Sequence, residues 1–243
     1  MVLSLFSNKH PLSKLETERL QIIKQNDAQP EAIAHLLQSP MPNPKAHILD
    51  FPITVLDFET SGLDPLSDQI VSIGWIQIVQ GVIKLNSAQH YIVQSSAQSS
   101  NTQNLQEQTY ALHHILPQDQ EQGVPLEWAM NQLFESMPNP IVLAHGSTIE
   151  KRFMQQYCEA QKLPNLPLIW LDTLKIEQNT SSKNNYKKDF RLFALRQFYQ
   201  LPEYPAHHAL TDAIATAELF LAQKHRLFNQ DTAPIGVLYE YSK

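Results

Sequence analysis

A single cysteine, Cys158, excludes an internal disulfide. That suits a reducing compartment, and a cytoplasmic location is the expectation. No apolar run approaches the roughly 20 residues that span a bilayer, and residues 1–13 lack the basic start and small-residue cleavage site of a secretory signal. No membrane association is expected. Positive charge is also short: 18 Lys and Arg stand against 24 Asp and Glu, a formal net charge of −6. This excludes a protein that coats nucleic acid by charge alone, but leaves room for an enzyme whose carboxylates are neutralised by bound cations. What is present, 42% hydrophobic and 17% charged residues in 243, is ordinary for one sizeable globular domain with or without an appendage.

Apolar Leu15, Leu20, Ile22, Ile23, Ile33, Leu36 and Leu37 among polar residues predict helix over 12–39, divided by Pro30. Pro40-Met41-Pro42-Asn43-Pro44 then breaks any helix. A boundary there gives an N-terminal helical appendage (1–47), a main domain (48–228) and a C-terminal tail (229–243). The domain opens with the apolar run Ile53-Thr54-Val55-Leu56, followed by β-rich stretches over 69–79 and on to about Val93, a three-strand meander. The polar tract from Gln94 to Gln108 reads as loop. Further strands are expected at 141–144 and 168–171, with helices over 125–137, 148–161, 190–200 and 209–226. Hairpin-linked strands followed by alternating helices and strands imply an α/β fold, a mixed five-stranded sheet flanked by helices.

Three segments carry the chemistry. In Asp57-Phe58-Glu59-Thr60-Ser61-Gly62 the two acids, two apart on a strand, face the same side, where a hard cation can bridge them. Alone, the triplet reads first as an exposed acidic strand end. In Ala144-His145-Gly146-Ser147-Thr148-Ile149-Glu150 a buried strand delivers Glu150 to the first turn of a helix, a position that carboxylates favour in any case. In His207-His208-Ala209-Leu210-Thr211-Asp212 an acid opens the last long helix behind a histidine, the residue type most often used as a general base. Capping acid and surface histidines is the other reading of that segment. A strand pair and two helix-start acids are what a two-cation hydrolytic site uses, and the oxygen-only set points to Mg²⁺ or Mn²⁺ rather than zinc.

Together the segments resemble the DEDDh 3′→5′ exonuclease superfamily, which includes the proofreading epsilon subunit of bacterial DNA polymerase III. The resemblance spans about residues 48–226 and takes in Leu171-Asp172-Thr173-Leu174 as well. It implies a ribonuclease-H-like fold and stepwise removal of nucleotides from the 3′ end of single-stranded DNA, with RNA as the alternative substrate. A nucleic-acid-binding or assembly module on the same fold is the competing class. It further implies two divalent cations, with Asp57, Glu59 and Asp212 on the first, Asp57 and Glu150 on the second, and His207 as the base that deprotonates water. Thr60 and Leu63 would lie against the terminal nucleotide. His145 belongs to the second motif and is expected near substrate, with His208 a neighbour at the mouth. Two departures stand out: glutamate at 150 where the family has aspartate, which reaches one methylene further and suggests a Mn²⁺ preference, and Gly146 where asparagine often follows the histidine.

Lys175, Lys183, Lys187, Lys188, Arg191 and Arg196 form the one pronounced basic segment. Lys187 and Arg191 are the expected phosphate contacts, and Tyr186 a base-stacking candidate; a solvated face reads equally well. His113-His114 matches a position where relatives carry a histidine. Asp172 follows a strand, where structural capping suits it as well as metal binding, and it is left out of the site. Trp75, Trp128, Trp170, Phe153 and Met154 are expected in the core. Leu3-Ser4-Leu5-Phe6 resembles sliding-clamp-binding peptides, so a clamp or polymerase is a candidate partner. No polymerase-tethering domain is evident after residue 226, which favours a free-standing enzyme.

Overall fold

The computed structural model describes residues 10–25, 29–94, 115–181, 189–205, 207–229 and 231–243. The clamp-like peptide at 3–6, His113-His114, Lys183, Tyr186, Lys187 and Lys188 lie outside the described residues.

Five strands form one sheet: β1 (Ile53–Thr60), β2 (Ile70–Val79), β3 (Val82–Ile92), β4 (Ile141–Ala144) and β5 (Ile169–Asp172), in the order β3-β2-β1-β4-β5. The first three run antiparallel as a meander, and β4 and β5 join β1 in parallel. This is the mixed sheet expected from the strand and helix order. The register is pinned by burial. Ile53 and Val55 face one apolar cluster, and Leu56 and Phe58 face the other, so a one-residue slip would turn both sets over.

Helices α1 (Leu12–Gln25) and α2 (Glu31–Gln38) are separated around Pro30, which caps α2. The short α3 (Pro117–Glu121) precedes α4 (Leu126–Ser136) and α5 (Thr148–Ala160). After β5 come α6 (Thr173–Thr180), α7 (Leu192–Phe198), α8 (Ala209–Phe228) and α9 (Ile235–Tyr241). Residues of α4 and α5 join α2 and one sheet face in the first apolar cluster; those of α8 and α9 join the other face in the second.

The appendage is continuous with the core: Leu12 is fully buried in the second cluster, and Ile33, Leu36 and Leu37 are buried in the first. The expected tail forms α9, whose Ile235 and Leu238 are fully buried. It is tied back by Ile48 N–H to Ala233 O (2.9 Å) and Ile235 N–H to Ala46 O (3.0 Å). Among the tryptophans, Trp75 is core, Trp170 is half-buried on the edge strand, and Trp128 is a correction at 43% exposed, set edge-on against Tyr91. Phe153 and Met154 are buried as expected.

Candidate active site

The site forms at the carboxyl ends of β1 and β4, where β1 carries its acids out of the core. Asp57 and Glu59 alternate with buried Leu56 and Phe58, so both carboxylates leave the same sheet face. α8 crosses that face and brings Asp212 from its first turn. One carboxylate oxygen from each of Asp57, Glu59 and Asp212 lies within 4.8 Å of the other two. α8 comes this close because Gly74 stands opposite Asp57 on β2, and a side chain there would meet the Ala209–Leu210 backbone.

The acids strain one another. Burial, then the charges of Glu150, Glu59 and Asp212, push the Asp57 carboxyl well above its usual range. Burial, then Glu59, raises Asp212, partly opposed by the His207 backbone N–H that bonds Asp212 Oδ2 at 2.9 Å. Glu150, buried on the first turn of α5, is pushed up to about 8 by desolvation, against the pull of its own backbone and that of Phe58. Its Oε2 is buried without a hydrogen-bond partner. Glu150 stands outside the close triad but near enough to perturb Asp57. Crowded, partly desolvated carboxylates with an unpartnered buried oxygen are the donor set that a hard divalent cation satisfies, so the residues fit the metal group that their pattern implies.

Glu150 is delivered by a turn that Asp172 organises. Asp172 Oδ1 accepts from the backbone N–H groups of Gly146 (2.9 Å), Leu174 (3.0 Å) and Lys175 (3.3 Å). Oδ2 accepts from Ser147 N (2.8 Å) and Ser147 Oγ (2.9 Å). Asp172 thus joins the start of α6 to the turn before α5. Gly146 in that turn has φ +73°. Glycine adopts this left-handed conformation at no steric cost and asparagine tolerates it best among the other residues, which accounts for glycine standing where asparagine is often found.

His145 engages both ring nitrogens with the protein, Nδ1 with Thr173 Oγ1 (2.8 Å) and Nε2 with the Phe190 carbonyl (3.0 Å). Burial keeps its pKa below the usual value. What it presents to a ligand is its ring, on the wall of a cavity of about 580 Å³ that His207 and Asp212 also line. Leu174, Leu192, Phe193 and Ala215 give this cavity apolar walls, with Arg191 and Arg196 among the polar ones. The Arg191 guanidinium is exposed and paired with Asp189. Arg196 is buried instead, bonded to Ala215 O, Pro202 O and Glu218, and holds α7 to α8 rather than offering a surface charge. Thr60 donates to Gly62 O (2.7 Å), and Leu63 is 71% exposed, its carbonyl held by Arg152 (3.1 Å). His207 lies at the surface with φ +67°. His208 caps α8, its Nδ1 accepting from Thr211 N (3.3 Å).

The RNase_T family model, described as an exonuclease, matches residues 54–220. A PolC-type DNA polymerase III of Thermotoga petrophila is 26% identical over 175 residues, 69% of this chain but 11% of that protein. The chain therefore spans about a ninth of that relative's length. The nuclease domain of 3′hExo, described as a DEDDh family member bound to rAMP, superposes with a TM-score of 0.58 at 13% identity, covering 72% of this chain and 92% of that one. E. coli Exonuclease I in complex with a dA16 oligonucleotide superposes at 0.61 and 15% identity, covering 78% and 42%. At such identities the structural likeness establishes the fold.

Proposed function

The chain belongs to the RNase_T exonuclease family, within the DEDDh 3′→5′ exonuclease superfamily, and from that premise we propose that it hydrolyses single-stranded DNA from the 3′ end, releasing nucleoside monophosphates. The observation that carries this reading is the convergence of Asp57, Glu59 and Asp212 within 4.8 Å, with buried Glu150 beside them.

Asp57, Glu59 and Asp212 would hold one divalent cation, and Asp57 with Glu150 a second. Bound there, Mg²⁺ or Mn²⁺ would activate water and stabilise the leaving oxygen. A ring nitrogen of His207 takes the proton of the attacking water, and the backbone bond from His207 to Asp212 Oδ2 sets that residue's place relative to the acids. The Thr60–Leu63 turn, braced by Arg152, meets the terminal nucleotide. The cavity beside His207 has the volume and the mixed apolar and polar lining of a site for a small ligand such as a nucleoside. Arg191 reaches backbone phosphate once its exposed pair with Asp189 opens, a pair of the kind worth little in water. DNA is favoured over RNA because the PolC-type relative is a DNA polymerase. That relative also makes a polymerase a candidate partner.

The test is digestion of matched 5′-labelled DNA and RNA oligonucleotides with Mg²⁺, Mn²⁺ or EDTA, with Asp57→Ala as control. A ladder shortening from the 3′ end, lost with EDTA and in the variant, is expected, with the DNA strand degraded faster. Faster loss of RNA would reassign the substrate. Intact strands with both metals would sink the catalytic reading in favour of a binding module.

A further inference from the structure

Across the three meander strands, Asp57, Gly74 and His90 stand side by side in register and so share a face. Gly74, in the middle, has no side chain, and the Ala209–Leu210 backbone at the head of α8 occupies the notch it leaves. One wall of the notch is the metal-binding acid Asp57; the other is His90. The His90 ring is pinned through Nε2 to Ser72 Oγ at 2.7 Å, and Ser72 is buried directly opposite Glu59. On that ring lies His208, with centroids 4.2 Å apart and planes tilted by 33°. His208 is the cap of α8: its Nδ1 accepts from Thr211 N, and its carbonyl accepts from Asp212 N at 2.9 Å.

We propose that His90 is a positioning residue for the exonuclease reaction, a shelf that fixes the His207–His208 corner and through it the general base. The proposal rests on the exonuclease reading given above. His207 is held in the left-handed region, which a residue other than glycine adopts only at a steric cost. One backbone bond to Asp212 holds it from the helix side. The stack beneath its neighbour holds it from the sheet side, so that the corner is clamped between Asp212 and β3. Without the shelf, the cap of α8 loses its lateral support, while Asp57 and Glu59 keep theirs from β1 and Asp212 keeps that of a first turn seated by Ala209 and Leu210 in the Gly74 notch. Burial, followed by the proximity of His208, lowers the His90 pKa to about 4, so the ring stacks as a neutral group across the working range.

His90→Ala is therefore expected to lower kcat on a single-stranded DNA oligonucleotide by about tenfold or more, since small misplacements of a catalytic group cost this much, with KM changed less than about twofold. The double variant Ser72→Ala/His90→Phe keeps a stacked ring without leaving the buried serine hydroxyl unpaired, and is expected to recover most of kcat. Thermal stabilisation by Mn²⁺ stays as in the unsubstituted protein for both. A second arm needs no activity: histidine side-chain ¹⁵N resonances of the metal-free protein. There the His208 Nδ1 acceptor signature is expected to weaken in His90→Ala and return in the double variant. An unchanged kcat in His90→Ala, or a double variant as slow as the alanine, overturns the proposal. If the unsubstituted protein digests nothing, the exonuclease reading itself falls. An unchanged His208 signature in His90→Ala then overturns the shelf independently.

Discussion

Asp172→Asn tests the turn that delivers Glu150. Asp172 is 2% exposed and receives five donors on two oxygens, three on Oδ1 and two on Oδ2. Asparagine is nearly isosteric but keeps one accepting oxygen, and its best orientation leaves that oxygen facing the three backbone donors of Gly146, Leu174 and Lys175. The new NH₂ then faces Ser147 N–H and Oγ. The hydroxyl can turn to accept; the buried backbone N–H cannot. One stranded buried donor costs about 1–3 kcal/mol, and three remaining bonds weaken as charge assistance is lost, giving a destabilisation of about 2–4 kcal/mol in all. With a urea m-value near the upper end, about 3 kcal/mol/M, the unfolding midpoint should fall by about 1 M at unchanged m. Asp189→Asn, on the surface, serves as the control and should leave the midpoint in place. A midpoint shift for Asp172→Asn no larger than the control's would refute the assignment of Asp172 as the organiser of the turn. Mn²⁺ binding should weaken in parallel, because Glu150 rides on that turn.

The other expectations concern the crowded acids and the buried thiol. Glu150 has a folded-state pKa of about 8 against an ordinary 4.5, so the metal-free folded protein holds a proton that the unfolded chain releases. Stability is accordingly greatest below about pH 4.5 as far as this group is concerned, and is lost as pH rises toward 8. Glu150→Gln should flatten that part of the metal-free stability profile, and a profile as steep as the original would count against it. Asp57→Asn replaces a carboxyl whose charged form burial, and then its acidic neighbours, disfavour. Its metal-free melting temperature should equal or exceed that of the unsubstituted protein, while stabilisation by saturating Mn²⁺ is largely lost; a lower metal-free melting temperature would contradict this. Burial pushes the Cys158 thiol up to about 11, so Ellman's reagent at pH 8 should react with it only after denaturation.

Much of the architecture is legible in local pattern because the informative segments alternate at the period of their structure. Ile53 to Glu59 reads as a strand, and its two acids continue the alternation on the face that Ile53 and Val55 begin. α6 is harder to see because it starts at Thr173 with no break after β5; Asp172 ends the strand and caps the helix in one residue. α9 is hidden by its length, seven residues, too few for helical periodicity to declare itself. His90 has no sequence signal. It sits in an edge strand of mixed exposure, and its meaning comes from a register that places it level with Gly74 and Asp57 across two strand pairings. Such long-range pairing is set by the whole sheet and not by neighbours along the chain. His145 shows the converse: its motif is recognisable, yet only the fold reveals that Thr173 and the Phe190 carbonyl engage both ring nitrogens.

Ser242 Oγ accepts from the backbone N–H of Asp172 at 3.0 Å while donating to Leu238 O at 2.7 Å, and Asn179 holds the carbonyls of Tyr241 and Lys243. The last residues of this sequence are thus two hydrogen-bonded steps from Ser147, and three residues further lies Glu150. For anyone engineering the protein, Ser242 is thus a buttress of the turn that carries Glu150. A fluorophore or bulky side chain placed at Ser242 would pull on Asp172, whereas exposed Gln80 in the β2–β3 turn, remote in the sheet from the acids, offers an attachment point with no such connection.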